Sequence, residues 1–456
     1  MRKLSFFSVL CLCMFFNSCT KKESIQKEPN ILVKPKTSIY KGSPAFMTGE
    51  RDKFNPQSTV ESVRKKPLTS LGRQKITPPV LTPDAATAAD VLNKSDFSVL
   101  VVDLLENVPL TVSSYPFDYE NDVEALKRLY NQHNLSAIVK DDQPELDTLM
   151  ALMIYTNEFL AGGTPPAKNT WMTTTWPSAE IITKLRREKG IGGTSEHYAA
   201  LFCQLSLSCG FDARLVSMHT LDDTGEPLTH DVCEVFLVSY DKWGVFDPYS
   251  RATYYLRDSI PQSALELRNL MFDGLYRDIY PVSGIGDFTD VVSVREKILP
   301  RYRYIYIWRM NDMLSKSQSG KPMPWQALYQ VHLVWEDEKT LVADGSFEKL
   351  DKFNNTDNPE YPLNGVRYVT HNKSDFYWNL NRVVLNLERT GDYRLNMYID
   401  TITPNFDYFE IDNAGEVYKY KKNIFELTIA SSEIYVRSFN KLGRCGATSK
   451  LMLMWD

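Results

Sequence analysis

The chain has 456 residues, of which 43% are hydrophobic and 12% aromatic, and its formal net charge at pH 7 is −5. A chain of this length and composition can bury a large core and form two domains. The acidic balance gives no support for a nucleic-acid-binding protein, so no nucleic-acid partner is expected.

Residues 1–18 have the pattern of a secretory signal peptide. Arg2 and Lys3 precede the apolar run LSFFSVLCLCMFF, which is too short for a permanent membrane span. The run ends in NSCT, with Cys19 directly after a small residue. This arrangement resembles a bacterial lipoprotein signal, which implies that Cys19 is lipidated and anchors the protein to a membrane of the cell envelope. The outer membrane is expected because Thr20 is not aspartate; the alternative is an ordinary secreted protein cut nearby.

Residues 19–85 are predicted to form a tether. Between residues 20 and 80 the sequence holds seven prolines, no tryptophan, and 13 lysines and arginines against five acidic residues. Such a segment cannot bury enough apolar surface to offset its ordering entropy. We interpret it as a disordered, basic spacer that lifts the folded part off the membrane, with contact to anionic envelope material as the alternative.

Helices and strands are predicted from residue 97 onward. FSVLVVDLL is typical of a short strand, and three segments then have the 3.6-residue apolar spacing of helices: DYENDVEALKRLYNQH, DDQPELDTLMALMIYTNEFL and PSAEIITKLRREKG. The last helix should stop at Gly190. GIGGTSEHYAALF leads into another amphipathic helix, followed by the strand-like CGFDARLV, THDVCEVFLVSY and KWGVFDPYS. DSIPQSALELRNLM predicts a further helix and RYRYIYIWRM a strand.

Polar residues stand where three of these elements begin or end. Ser195 lies at the tip of the helix, His230 opens one strand and Asp247 closes the next. With their neighbours they resemble the transglutaminase-like superfamily, whose members share a papain-like core and a Cys-His-Asp triad. The residues that carry the resemblance, over about residues 90–290, are Gly193, Thr194, Ser195, Gly210, Arg214, His230, Glu234, Val235, Trp243, Asp247 and Pro248.

The resemblance implies an α+β fold in which residues 86–295 form a papain-like, transglutaminase-like domain. It also implies that His230 is the base, that Asp247 orients it, and that Ser195 replaces the nucleophilic cysteine. A helix N-terminus and an imidazolium can lower the pKa of a thiol to about 7, whereas a serine hydroxyl is far too weak an acid for this. Serine is also a preferred helix N-cap, so a purely structural role for Ser195 is the competing interpretation.

The other cysteines do not replace the missing thiol. Cys203 and Cys209 lie further along the helix and Cys233 lies within a strand; Cys445 is the fourth cysteine after Cys19. Their spacing fits no zinc site, and neither a metal nor another cofactor is expected. A disulfide among these four is permitted outside the cytoplasm, but the sequence does not assign its pairing.

The C-terminal part changes to a two-residue period. VVLNLE, YRLNMYID, FELTIA, EIYVRSF and KLMLMW predict a β-sandwich over residues 346–456, after connecting strands over residues 296–345. The end of the chain resembles the last strands of immunoglobulin-like or fibronectin-like modules. The aromatic residues of DFYWNLN are interpreted as core, with stacking on a sugar as the alternative.

Three functions are open from the sequence. The first is a catalytically degenerate domain that binds a peptide, glycan or partner protein in the former cleft. The second is an active hydrolase or acyl transferase that acts on amide bonds through Ser195, His230 and Asp247. The third is a structural spacer. The missing sulfur favours the first, and whether the chain is an enzyme depends on Ser195.

Overall fold

The computed structural model describes residues 100–105, 110–140, 143–164, 176–221, 227–320, 332–339 and 368–455. The predicted signal peptide, the lipidation residue Cys19 and the predicted tether lie outside the described residues. The helices are α1 (Val123–Gln132), α2 (Glu145–Leu160), α3 (Ala179–Lys189), α4 (Ser195–Ser208), α5 (Ala264–Phe272), α6 (Phe288–Ile298), α7 (Met313–Gln318) and α8 (Lys373–Phe376).

The strands of the first part are β1 (Leu100–Leu105), β2 (Ala213–Leu221), β3 (Pro227–Leu237), β4 (Lys242–Asp247), β5 (Thr253–Arg257), β6 (Ile260–Pro261), β7 (Tyr280–Ser283), β8 (Tyr304–Trp308) and β9 (His332–Trp335). Those of the second part are β10 (Tyr368–Thr370), β11 (Val383–Gly391), β12 (Arg394–Thr401), β13 (Phe406–Asn413), β14 (Glu416–Tyr420), β15 (Ile424–Thr428), β16 (Glu433–Asn440) and β17 (Ser449–Trp455). Helices and mainly antiparallel sheets are both present, as expected for the α+β class.

Local sequence sets the ends of the helices. The side chains of Asp122 and Ser178 each accept a hydrogen bond from the backbone N–H three residues later, at the starts of α1 and α3. Gly190 has a left-handed φ of 63° and ends α3, as predicted. Pro144 occupies the N-cap position of α2.

Nine strands of the described ranges form one sheet, in the order β10-β9-β8-β2-β3-β4-β5-β6, with β7 also paired to β5. Successive side chains of a strand point to opposite faces. One face carries Leu215, Cys233 and Phe246 and packs against α1 to α4. The other face carries Val232 and Val245 and packs in a second core with α5. We call this sheet and its helices the mixed region.

The C-terminal strands form two further sheets around a third core, which we call the two-sheet region. In the described ranges, five strands pair in the order β1-β17-β16-β13-β14 and three in the order β11-β12-β15. Alternate side chains of β12 are buried, in agreement with the two-residue period of apolar residues in its sequence. The core that the two sheets share includes Leu385, Met397, Ile411, Val436 and Leu451.

The first strand belongs to a different region from the one expected. Its sequence position predicted a place at the start of the domain over residues 86–295, but β1 pairs antiparallel with β17, with Leu105 opposite Leu451. Residues 100–105 are therefore part of the two-sheet region. An apolar run indicates a buried strand but not its partner, because the partner is set by contacts more than 300 residues away.

Segments expected in the C-terminal half also belong to the mixed region. The strands predicted as connectors within residues 296–345 extend the nine-stranded sheet, in which β8 lies between β2 and β9. Phe376 and Trp378 are buried, as the core interpretation predicted. Their ring centroids lie 5.3 Å from Trp335 and 5.8 Å from Trp243, both in the mixed region. The described strands of the two-sheet region resume only at β11, later than the expected boundary at residue 346.

The two regions meet at the C-terminal end of α4. Asn440 Nδ2 donates a hydrogen bond to the Gly210 carbonyl oxygen at 2.9 Å, and the Arg444 guanidinium lies 3.5 Å from the Phe211 ring centroid. Because an α-helix rises about 1.5 Å per residue, α4 separates this junction from Ser195 by roughly 20 Å. The described contacts between the two regions thus lie at the end of α4 opposite Ser195. None of the described helices has the length and hydropathy of a membrane span.

Candidate functional site

Close backbone contacts fix the turn that leads into Ser195. The Gly192 N–H donates to the Thr164 carbonyl oxygen at 2.7 Å, and the Thr164 N–H donates to the Gly190 carbonyl oxygen at 3.0 Å. A Cβ atom on Gly192 would lie 2.7 Å from the Gly163 carbonyl oxygen, closer than atoms can approach. The glycines are therefore required by the packing of two backbone segments, and this packing sets where α4 begins.

The N-cap of α4 is Thr194, and Ser195 is the first residue of the helix. The Thr194 N–H donates to His197 Nδ1 at 3.1 Å, and its Oγ1 lies 2.8 Å from the same nitrogen. Because Nδ1 accepts, the ring is neutral, and burial lowers the pKa of His197 to about 3. The interpretation of Ser195 as an N-cap is therefore wrong: the capping position lies one residue earlier, which leaves the Ser195 hydroxyl available for other contacts.

The Ser195 hydroxyl contacts Asp231, the residue after His230. Its Oγ accepts a hydrogen bond from the Asp231 backbone N–H at 3.2 Å, and the side chain also hydrogen-bonds the Asp231 carboxylate. That carboxylate accepts a second hydrogen bond from Ser217 Oγ at 2.5 Å. Ser217 in turn accepts one from Trp308 Nε1 at 3.0 Å. The hydroxyl therefore takes part in a polar network that runs into the α4 face of the sheet.

His230 and Asp247 form the hydrogen-bonded pair that the sequence predicted. His230 Nε2 lies 2.6 Å from Asp247 Oδ2, and both side chains are buried, at 1% and 0% exposure. The other carboxylate oxygen, Asp247 Oδ1, accepts the Ser250 backbone N–H at 2.9 Å. Ser250 Oγ also lies 3.4 Å from His230 Nε2. The carboxylate is thus held by the turn that follows β4, and it fixes the orientation of the imidazole.

The structure brings Ser195 next to His230 in space without a hydrogen bond between them in the described part of the chain. In the β2–β3 register, Asp231 is opposite Ser217 and His230 is opposite Met218. Because neighbouring strand residues point to opposite faces, the Asp231 carboxylate shares the α4 face with Ser195, and the imidazole belongs to the other face. Of the three residues that the resemblance singles out, His230 and Asp247 are therefore hydrogen-bonded to each other, whereas Ser195 is hydrogen-bonded to Asp231, which the sequence did not single out.

A second carboxyl group lies in the same network. Burial raises the pKa of Glu196, and the nearby Asp231 raises it further; burial also raises the pKa of Asp231. Glu196 Oε1 is buried and has no hydrogen-bond partner among the described residues. Two carboxyl groups this close resist ionising together. The raised pKa values favour the protonated, neutral form of each carboxyl group.

Tyr249 is a further residue of the site, and sequence reasoning missed it. Its ring meets His230 edge-on at a centroid distance of 5.9 Å and Tyr198 of α4 at 5.1 Å. The ring is 46% exposed. Asn157 Nδ2 supports the same turn by donating to the Pro248 carbonyl oxygen at 2.7 Å. The only signal in the sequence was the position of Tyr249 directly after the Asp-Pro pair.

Other residues of the resemblance form a buried structural cluster. Arg214 and Glu234 are opposite each other on β2 and β3, both with 0% exposure, and Arg214 Nη2 lies 2.7 Å from Glu234 Oε2. The guanidinium also stacks over Trp243 at 4.1 Å. Glu234 Oε1 accepts the Tyr377 hydroxyl at 2.9 Å. These residues do not touch Ser195, so their part in the motif is to hold the sheet that carries His230.

The cysteines lie away from the helix tip, as the sequence indicated. Cys203 and Cys233 are buried thiols, and burial raises the pKa of both Cys233 and Cys209. Such thiols are poor nucleophiles. Within the described ranges no group of histidine, cysteine or acidic side chains has the arrangement of a metal site. Comparison of the chain with protein families and with curated proteins yields no match to either.

Proposed function

We propose that this chain is a lipid-anchored protein of a bacterial outer membrane, whose transglutaminase-like domain binds a peptide, glycan or protein ligand without catalysis at Ser195. In this proposal the mixed region is the papain-like, transglutaminase-like domain and the two-sheet region is an immunoglobulin-like sandwich. The anchor is the lipidated Cys19. The resemblance in sequence order and the position of Ser195, His230 and Asp247 around the end of α4 support the assignment.

One observation carries the absence of catalysis. The Ser195 hydroxyl hydrogen-bonds Asp231, while His230 Nε2 hydrogen-bonds Asp247. A serine nucleophile must pass its proton to a base during attack, and this requires a hydrogen bond between hydroxyl and base. A hydroxyl held by Asp231 lacks that route in the observed arrangement.

The side chains near the hydroxyl also fail to support catalysis. In a cysteine enzyme a thiolate forms before attack, whereas a serine develops its charge only in the transition state. The pKa values of Glu196 and Asp231 are raised, so the neutral form of each carboxyl group is favoured. Neither side chain supplies the positive charge that would balance an oxyanion.

A second candidate, an amide hydrolase or acyl transferase, is favoured by the intact pair of His230 and Asp247. A buried carboxylate 2.6 Å from the imidazole is the orienting contact that a general base needs. For this candidate, the Ser195 hydroxyl would have to leave Asp231, and the imidazole would have to turn from the opposite face of β3 toward it.

Chemical labelling separates the two candidates. The purified wild type should not incorporate a fluorophosphonate probe at Ser195 and should leave a mixture of acetylated peptide amides uncleaved in mass spectrometry. Ser195→Ala should match the wild type in both assays. Ser195→Cys is the positive control for access, because its thiol should be alkylated by iodoacetamide. Probe incorporation that disappears in both Ser195→Ala and His230→Ala would establish the hydrolase instead.

Thermal shifts test the binding half of the proposal. The same peptide mixture and a set of chitooligosaccharides serve as probes for the peptide and glycan classes. A probe that binds the native state raises the unfolding temperature, and the rise should be equal in wild type and Ser195→Ala because no nucleophile is needed. If neither class shifts the transition and no protein partner is captured, the spacer function becomes the better account.

A further inference from the structure

An exposed side chain, Tyr249, lies against the buried pair of His230 and Asp247. The two members of the pair are 1% and 0% exposed, whereas Tyr249 is 46% exposed. Tyr249 is also the side chain whose ring lies against both the His230 ring and Tyr198. Tyr249 is therefore the exposed aromatic side chain nearest to the buried imidazole in the described turn after β4.

The backbone of this turn is fixed while the ring is not. Asn157 Nδ2 donates to the carbonyl oxygens of Pro248 and Tyr249, at 2.7 and 3.3 Å. Further along, Ser283 Oγ donates to the Arg251 carbonyl oxygen at 2.6 Å. The Tyr249 hydroxyl has no hydrogen bond in the described part of the chain, and its ring makes two edge-on contacts. Such contacts are weak, so a rotation of the side chain can break them without moving the backbone.

We propose that Tyr249 is a gating residue, whose ring closes the approach to His230 and must turn aside before a ligand contacts the imidazole. The ligand in this proposal rests on the proposed function. The closed and open positions of the Tyr249 ring, however, can both be measured in the protein without a ligand. His230 lies near the start of β3, between β2 and β4, and the turn after β4 brings Tyr249 against one side of its ring.

Acylation of histidine by diethyl pyrocarbonate measures access to His230 without any ligand or activity. The rate at each histidine is followed by mass spectrometry of peptides from briefly treated protein. His371 is exposed and provides the fast reference, and His133, which is 3% exposed, reports any global loss of structure. In the wild type His230 should react far more slowly than His371.

The matched variants are Tyr249→Ala, which removes the ring, and Tyr249→Phe, which keeps it. Tyr249→Ala should raise the rate at His230 by about tenfold or more, since one or two edge-on ring contacts correspond to about that change in population. Tyr249→Phe should retain the wild-type rate. Asn157→Ala, which frees the turn while leaving the ring, should raise the rate by a smaller factor.

Equal rates at His230 in wild type and Tyr249→Ala would overturn the gate. A rise in Tyr249→Phe as large as that in Tyr249→Ala would also overturn it, because the ring would then be irrelevant. If the acylation rate at His133 also rises in Tyr249→Ala, that variant has lost part of its fold. The rates at His230 in Tyr249→Leu and Asn157→Ala then show whether the Tyr249 ring controls access to His230. Failure of the gate leaves the labelling test at Ser195 unaffected, so the two proposals can fail separately.

Discussion

At the scale of single residues, Arg214 and Glu234 form a buried ion pair that does not contact Ser195 in the described part of the chain. Both are completely buried, and the pair is completed by the Trp243 ring and by the Tyr377 hydroxyl. A buried ion pair stabilises the folded state little more than an apolar pair would. Removing one member, however, leaves an uncompensated charge away from water. Each member is therefore required mainly by the presence of the other.

We therefore expect a large loss of stability for Glu234→Gln. The change leaves the Arg214 guanidinium buried opposite a neutral amide, which should lower the free energy of unfolding by about 3–5 kcal/mol. Glu124→Gln is the matched control, because the Glu124–Lys127 pair is exposed and should change stability by less than about 0.5 kcal/mol. Urea denaturation of both variants provides the comparison. Similar decreases in the free energy of unfolding of the two variants would show that burial of the Arg214–Glu234 pair does not increase its effect on stability.

The sequence identified Ser195, His230 and Asp247 but not the contacts that decide what Ser195 does. The resemblance implied the pairing of His230 with Asp247, and the two residues lie on neighbouring antiparallel strands, β3 and β4. Asp231 and Glu196 directly follow two of the singled-out residues, yet nothing local marks them. Whether Asp231 and Glu196 contact Ser195 depends on which face of β3 packs against α4 and on the position of α4 along the sheet. Both are determined by contacts between residues far apart in sequence.

At the scale of elements, the start of α4 is positioned by contact between two glycine-containing segments. Gly192 and Gly163 approach so closely that neither has space for a Cβ atom. This contact holds the turn before Ser195 against the end of α2, and so determines where the helix N-terminus meets β3. The site geometry thus depends on the absence of two side chains.

Gly192→Ala should therefore disturb both stability and the site. The new methyl group would lie 2.7 Å from the Gly163 carbonyl oxygen, and relief of this overlap should cost about 1–3 kcal/mol. Gly391→Ala is the control, since a methyl group on Gly391 would meet its nearest neighbour, Arg394 Cβ, at an ordinary contact distance of 3.7 Å. Thermal unfolding gives the stability of each variant. Identical transitions for Gly192→Ala and Gly391→Ala would contradict the assigned contact.

Periodicity predicted most elements but not their partners. Helices α1 to α5 and strands β2 to β4 lie where the apolar spacing indicated, because that spacing records which face each element buries. The same information placed β1 and Phe376 in the wrong region. A buried face looks alike in sequence whichever core it enters, so assignment to a core requires the long-range pairing that only the folded chain defines.

At the scale of the whole molecule, the junction of the two regions buries a carboxyl group. Asp212 follows α4, is 4% exposed, and its Oδ2 accepts a hydrogen bond from Asn381 Nδ2. Burial raises the pKa of Asp212 to about 7, although Asn381 and the nearby Arg444 act to lower it. The carboxyl group is therefore more easily protonated in the folded chain than in the unfolded one, where its pKa is about 3.9.

Stability should consequently fall as the pH rises from about 4 to about 7, and Asp212→Asn should remove part of this fall. Between the two pKa values the folded state binds more protons than the unfolded state, so the contribution of Asp212 is complete below about pH 4 and lost through about pH 7. Its size should be on the order of 2–4 kcal/mol. Urea denaturation at about pH 5 and about pH 8 should give a smaller difference for Asp212→Asn than for wild type, whereas Asp258→Asn, at a side chain 88% exposed, should follow the wild type. Equal pH dependence in wild type and Asp212→Asn would mean that the junction opens to water around this carboxyl group and that the two regions are less tightly joined than their contacts indicate.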